Sequence, residues 1–167
     1  MSDDVFPDRS MDHRDKIVWM IETNGWALEA VNAQPKAVPP RPPYAYSIGL
    51  ESTFEFAEVA VFGLTPVASN GLIGLVVDLL RDGIKPPVGA VFTGLLDGEQ
   101  RCAFLPIDVR EHVDLFASAA DWHRRTSFSV VQLIWPDRNG FLPFETGFDP
   151  RLRLAQPVMG RTDVLGE

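Results

Sequence analysis

The chain is poor in the residues that build disulfide frameworks, metal centres and nucleic-acid surfaces. Its 167 residues include one cysteine, three histidines, and 15 basic against 23 acidic side chains. A single cysteine, Cys102, excludes an intramolecular disulfide and suits a reducing compartment, so a cytoplasmic location is expected. Cys102 lies in the apolar run Arg101-Cys102-Ala103-Phe104-Leu105 with no histidine near it in sequence, and reads as a small buried hydrophobe. Of His13, His112 and His123, the last two fall on one expected helix, eleven residues or about 16 Å apart, too far to share an ion. With no His-Glu-x-x-His and no Cys-x-x-Cys, neither a metal nor a cofactor is expected. The net charge of −8 repels phosphate backbones, and no basic cluster larger than Arg124-Arg125 offsets it, which argues against nucleic acid. No apolar run approaches the roughly 20 residues of a membrane span, and residues 1–10 lack the apolar segment of a secretory leader. Phosphate-cradling glycine loops are missing too.

What is present is an ordinary globular balance, 46% hydrophobic and 23% charged. One α+β domain over residues 10–157 is expected, with residues 1–9 and 158–167 as flexible tails. No internal repeat is readable. Ser10 can cap a helix reaching about Asn24, with Gly25 as its stop. A short strand follows over residues 26–33. The proline-rich stretch 35–43 reads as an extended, stiff connector; Pro39-x-x-Pro42 also fits the minimal motif of polyproline readers. Residues 44–50 alternate as a strand, with Tyr44, Tyr46, Ile48 and Leu50 on a bulky face and Ala45, Ser47 and Gly49 on a bare one that a helix can cover. Residues 58–64 give another strand, close enough to the last for antiparallel pairing.

Thr65-Pro66 opens a helix to about Asp82, apolar on most sides and carrying Gly71 and Gly74. Two strands, 88–96 and 100–107, flank a turn at Asp97-Gly98. Asp108 through Glu111 reads as a capping box for one helix ending near Arg124-Arg125, and residues 127–135 as a final strand. The sum is a mostly antiparallel sheet of about five to six strands with about three helices packed on it.

Few motifs carry chemistry. Ala45-Tyr46-Ser47-Ile48-Gly49 looks like a degraded nucleophile elbow, with Asp108 and His123 following in hydrolase order, but residues 50–53 make a poor start for a helix and the strand reading is favoured. Glu58 stands near Glu51 and Glu55; paired carboxylates can do acid–base work, although solvated loop acids are commoner. The most unusual stretch is Gln132-Leu133-Ile134-Trp135-Pro136-Asp137-Arg138-Asn139-Gly140, followed by Pro143 and Glu145. Gln132 interrupts an apolar strand face and must find partners, from the backbone or from a ligand. Asp137 and Asn139-Gly140 have turn chemistry. An aromatic wall with two carboxylates is also how a small polar pocket is built.

The chain resembles the uncharacterised bacterial family known as domain of unknown function four-two-six-two. The resemblance spans about residues 10 to 157. It rests on Gly25-Trp26, on residues 44–50, on Glu58 with Phe62-Gly63-Leu64, and on residues 132–145. Ser47 stands where the family usually has Thr, Ala57 where it has Pro, and Phe144 where it often has Trp. The resemblance implies membership and no reaction. The expectation is a non-catalytic binding or accessory domain for a small molecule or protein partner, its site near Tyr46, Ser47, Glu58, Gln132, Trp135, Asp137 and Glu145. The alternatives are a small hydrolase-type enzyme with Asp137 or Glu145 as general base, and a structural or assembly subunit, for which a homo-oligomer is an open option.

Overall fold

A computed structural model describes residues 11–124 and 127–165. The first helix, α1 (His13–Asn24), is capped by Asp12, whose carboxylate accepts from the Asp15 amide, and it stops at left-handed Gly25. Ser10, the expected cap, lies outside the described residues. Strands β1 (Ala27–Val31) and β2 (Tyr44–Ile48) pair antiparallel. The prolines between them do not run as an extended spacer. Gln34 and Arg41 exchange backbone hydrogen bonds of 2.8 and 3.0 Å, closing the segment into the loop of a long hairpin.

Strand β2 ends one residue before left-handed Gly49, and the chain passes directly into α2 (Leu50–Phe54). The expectation of strand through Leu50 is corrected here: the poor helical propensity of residues 50–53 is overridden by tertiary contacts. After α2 come β3 (Glu58–Phe62) and α3 (Pro66–Arg81), the latter capped by Thr65 with Pro66 in its first turn, as expected. Strands β4 (Ala90–Thr93) and β5 (Arg101–Ile107) form a hairpin. The single helix expected after Asp108 is broken. Asp108 caps only a 3-10 turn, Val109–Glu111; the backbone leaves helical geometry at His112 (φ −132°); a second 3-10 turn, Val113–Phe116, leads into α4 (Ala117–His123). Strand β6 (Val130–Ile134) completes the sheet.

The six strands lie in the order β1-β2-β3-β6-β5-β4, antiparallel except for β3 beside β6. This is an α+β fold made of two antiparallel meanders joined through one parallel pair. The element order α-β-β-α-β occurs twice, α1 to β3 and α3 to β6. That repeat is topological; the sequence carries no trace of it. Helices cover both faces. Leu50 of α2 and the buried stripe of α3 (Ile73, Val76, Val77, Leu80) pack with Val59, Val61, Phe104, Val131 and Leu133. On the other face Ile17 of α1 and Ala119 of α4 pack with Tyr44, Tyr46, Ile48, Ala60 and Val130. Fully burying each aliphatic side chain contributes about 1.5–3 kcal/mol.

Around Ala103, Leu105 and Ile134 the second face is covered by the C-terminal segment, beyond the part on which α4 packs. Val158 packs with Leu105, Ile134 and Leu142. Gly160 lies so close to Leu105 that a Cβ would collide with it. The Arg161 amide donates to the Pro106 carbonyl at 2.8 Å. Residues 158–165, expected as a tail, are therefore packed, and the domain's contacts run past residue 157.

Cys102 is a buried free cysteine whose thiol is pushed up to about 12 by burial. A thiol reagent at neutral pH is expected to leave it unmodified in the native protein and to titrate one thiol after urea unfolding. Rapid native modification would contradict this burial.

Candidate functional site

The densest polar cluster is buried at the end of the sheet where β3 begins. Glu58 is fully buried. Its Oε1 accepts from Ser47 Oγ (2.9 Å) and the Leu50 amide (3.0 Å). Its Oε2 accepts from the Gly49 amide (2.8 Å) and lies 3.0 Å from His123 Nε2. The local sequence explains the geometry. The ladder between β2 and β3 ends at Tyr46 and Ala60. Beyond it, the Val59 amide donates to Ser47 Oγ (2.9 Å), so a side chain takes the place of a strand carbonyl. Positive φ at Gly49 (109°) then turns the first amides of α2 toward the carboxylate.

His123, the last residue of α4, has a side chain only 5% exposed. Its ring stacks on Phe128 at 4.9 Å and 16°, meets Trp122 edge-on, and presents Nδ1 to Glu51 Oε2 at 3.8 Å. Serine, acid and histidine thus meet, but not as a hydrolytic triad. The histidine faces Glu58, and the Ser47 hydroxyl is engaged both as donor and as acceptor. The strand does lead straight into a helix, as an elbow would, yet Ser47 precedes the turn and points into the protein.

The second group surrounds the end of β6. Fully buried Gln132 is satisfied by backbone: Oε1 accepts from the Met159 (2.7 Å) and Gly160 (2.9 Å) amides, and Nε2 donates to the Pro157 carbonyl (2.7 Å). Gln156 reciprocates, accepting from the Trp135 amide and donating to its carbonyl. The Trp135 indole donates to the Phe62 carbonyl at 2.9 Å. Asp137 accepts from the amides of Asn139, Phe141 and Asp149. Glu145 is held by both ends of the Arg101 guanidinium (2.9 and 2.6 Å) and by the Leu142 amide.

Both carboxylates are held acidic. Burial works to raise Asp137, but its three amide donors outweigh it and the group sits below the usual carboxylate range. The Arg101 guanidinium lowers Glu145, against the opposing effect of burial.

The seven residues singled out by sequence fall in three places. Ser47 and Glu58 meet in the buried cluster. Tyr46 points to the other core, edge-on to Phe116, with its hydroxyl against Ser118; burial raises that hydroxyl above the ordinary tyrosine value. Gln132 sits in the same row of the sheet as Tyr46 and Ala60, and β6 runs on from it to Trp135, Asp137 and, past the turn, Glu145 at the opposite end. Because β3 and β6 are parallel with Glu58 opposite Val130, Asp137 stands seven residues further along the strand direction. That is roughly 20 Å from the Glu58 end at strand rise. One pocket joining all seven is excluded by that separation.

The sequence marks His123 only as a possible metal ligand or triad member; its partnership with Glu58 spans 65 positions and leaves no local signal. Among the described residues, no group of three or more His, Cys, Asp and Glu could hold a metal ion, and no helix is long and apolar enough to cross a membrane.

Surface clefts lie at both ends of the sheet. One of about 470 Å³ adjoins the Glu58 cluster, lined by Ala57, Asp108, Arg110, Ser127, Phe128 and Ser129 among others. Another, of about 500 Å³, lies against the turn at Asn139-Gly140 and includes Arg101, Arg138 and Phe141.

The model of a family described as "Domain of unknown function (DUF4262)" matches residues 20–149. No curated protein and no solved structure matches the chain.

Glu58→Gln turns an amide N–H toward groups that are themselves donors, and is expected to lower unfolding free energy by about 3–5 kcal/mol in urea titrations. Ser47→Ala, which strands the Val59 amide, is expected to cost about 1–3 kcal/mol. Unchanged midpoints would remove the carboxylate from this role. At the other end, depressed carboxyls stabilise the fold above their unfolded values near about 4 and lose that effect as pH falls through the folded values. Asp137→Asn is therefore expected to flatten the loss of stability on acidification, while an acid limb as steep as that of the wild type would count against it.

Proposed function

This chain belongs to the DUF4262 family, and we propose that it works as a binding or accessory module rather than as a catalyst, taking a small molecule or protein segment in the cleft beside Glu58. The observation that carries this reading is the placement of a buried carboxylate–imidazole pair directly behind that cleft. Burying two ionisable groups costs several kcal/mol each, and such a pair is a weak source of net stability. Here it fixes the cleft wall. Ala57 lines the cleft and precedes Glu58; Phe128 lines it and stacks on His123; Ser129 lines it, and its carbonyl accepts from the Glu58 amide at 2.9 Å. A rigid wall carrying exposed hydroxyls and the Asp108 and Arg110 side chains suits recognition.

Ser47, Glu58 and His123 are positioning groups in this reading, with Gln132, Trp135, Asp137 and Glu145 holding the far end of the sheet. The hydrolase alternative has less support. A general base works best with a pKa near the working pH, and Asp137 and Glu145 are both held low and saturated with donors. A cytoplasmic setting goes with this proposal, on the single reduced cysteine.

A fragment library screened by ligand-observed NMR is expected to yield binders that Ser129→Trp, which fills the cleft, displaces and that Glu145→Gln leaves bound. Hits indifferent to Ser129→Trp, or no hits at all, would sink the proposal.

A further inference from the structure

We propose that the sheet face around Leu105, Gln132 and Ile134 is a docking groove for an extended peptide of the pattern Gln-x-aliphatic-x-Gly from a partner protein, and that residues 156–160 of this chain fill it as a built-in competitor. The resident segment shows what the groove accepts. Three alternate residues face the sheet, the period of an extended chain. The Gln156 amide clamps the backbone of Trp135, accepting from its N–H at 2.9 Å and donating to its carbonyl at 3.0 Å. Val158 packs with Leu105, Ile134 and Leu142. Gly160 lies so close to Leu105 that any side chain would collide. Its φ is not positive, so glycine is needed here for room and not for conformation.

The groove reads the rest of the segment through its backbone. Gln132 Oε1 accepts from the Met159 and Gly160 amides at 2.7 and 2.9 Å, and Nε2 donates to the Pro157 carbonyl at 2.7 Å. The Pro106 carbonyl accepts from the Arg161 amide at 2.8 Å. Any extended chain supplies such groups, as in other modes of peptide recognition that use main-chain hydrogen bonds for affinity and side-chain pockets for choice. Met159 also rests against the neighbouring core, which favours an apolar residue there.

The segment is a cover and not core. Residues 157–160 are each half-buried, whereas Leu105, Ile134 and Leu142 beneath them are fully buried. Gln132 is fully buried too, and its printed bonds all go to this segment. A bare groove would strand that amide together with an apolar patch, so release of the segment requires another occupant of the same chemistry. The family model covers residues 20–149, which include the groove residues named here and none of the segment. Tethered beside the groove, the segment acts at a millimolar effective concentration, which excludes stray peptides and admits a partner that concentrates its own segment there.

A chain folded whole and then cut tests this. A protease site inserted between Arg153 and Leu154, which is 72% exposed, severs the segment without removing it. A fluorescent peptide of residues 155–165 is expected to exchange into the cut chain, read by anisotropy, and to bind the uncut chain about tenfold more weakly or worse. Gly160→Val in the peptide is expected to abolish exchange, and Gln156→Ala to weaken it about tenfold. A second peptide that keeps only glutamine, an aliphatic residue and glycine at the three alternate positions, with serine and lysine elsewhere, is expected to displace the label. Ser129→Trp, in the other cleft, is expected to leave these results unchanged. A chain that unfolds on cutting or never releases its segment overturns the proposal, as does a label bound equally by cut and uncut chains. Displacement by the native sequence alone reduces the segment to a closure of this fold and also overturns it. Dimers of the uncut chain formed by exchanging segments, seen in sedimentation, assign the groove to a second copy and overturn the partner reading.

Discussion

The Glu58 carboxylate is the interaction on which the architecture turns. Four donors from three chain segments converge on it: the Ser47 hydroxyl at the end of β2, the Gly49 and Leu50 amides where α2 starts, and the imidazole of His123 at the end of α4. A buried carboxylate without them would be prohibitively costly. With them, it fixes where β2 stops pairing, orients the first turn of a five-residue helix too short to stand alone, and ties the two meanders together. The requirement is mutual, since the Gly49 and Leu50 amides would otherwise be buried without acceptors.

The far end of the sheet is built on a similar device with different chemistry. Past Ile134 the chain has no strand partner, and glutamine side chains serve as substitutes. Gln132 holds the backbone of residues 157–160 against the sheet, and Gln156 answers with the backbone of Trp135. Asp137 and Glu145 do the same for the turn that follows: Asp137 gathers three amides, and Glu145 takes one amide with Arg101 as its counter-ion. The unusual composition of this stretch follows from the need to close a sheet end with side chains, because the backbone of β6 alone cannot do so.

The halves of the molecule share an element order but differ in what covers them. One face of the sheet carries α2 and α3, and the other carries α1 and α4, with the C-terminal segment covering the part of that second face around Ala103, Leu105 and Ile134. The cleft beside Glu58 opens where β6 and the 3-10 turn after β5 meet Ala57, the residue before β3, so it lies where the two meanders join.

Much of this was legible in the residues. The α3 cap at Thr65-Pro66, the hairpin at Asp97-Gly98 and the alternation of Tyr44, Tyr46 and Ile48 pointed to an α+β fold with a mostly antiparallel sheet, because those signals act over a few residues. The same local range flagged Gln132 and Asp137 as needing partners. It could not name them: the partners of Gln132 lie 25 to 28 positions away, and His123 lies 65 from Glu58. Tertiary structure alone decided that Glu58 is buried and not a solvated loop acid, that residues 50–54 are helical, that one expected helix breaks at His112, and that residues 158–165 belong to the fold. Each of these is the outcome of a hydrogen bond or packing contact between distant segments, whose free energy exceeds the weak propensities that sequence patterns report.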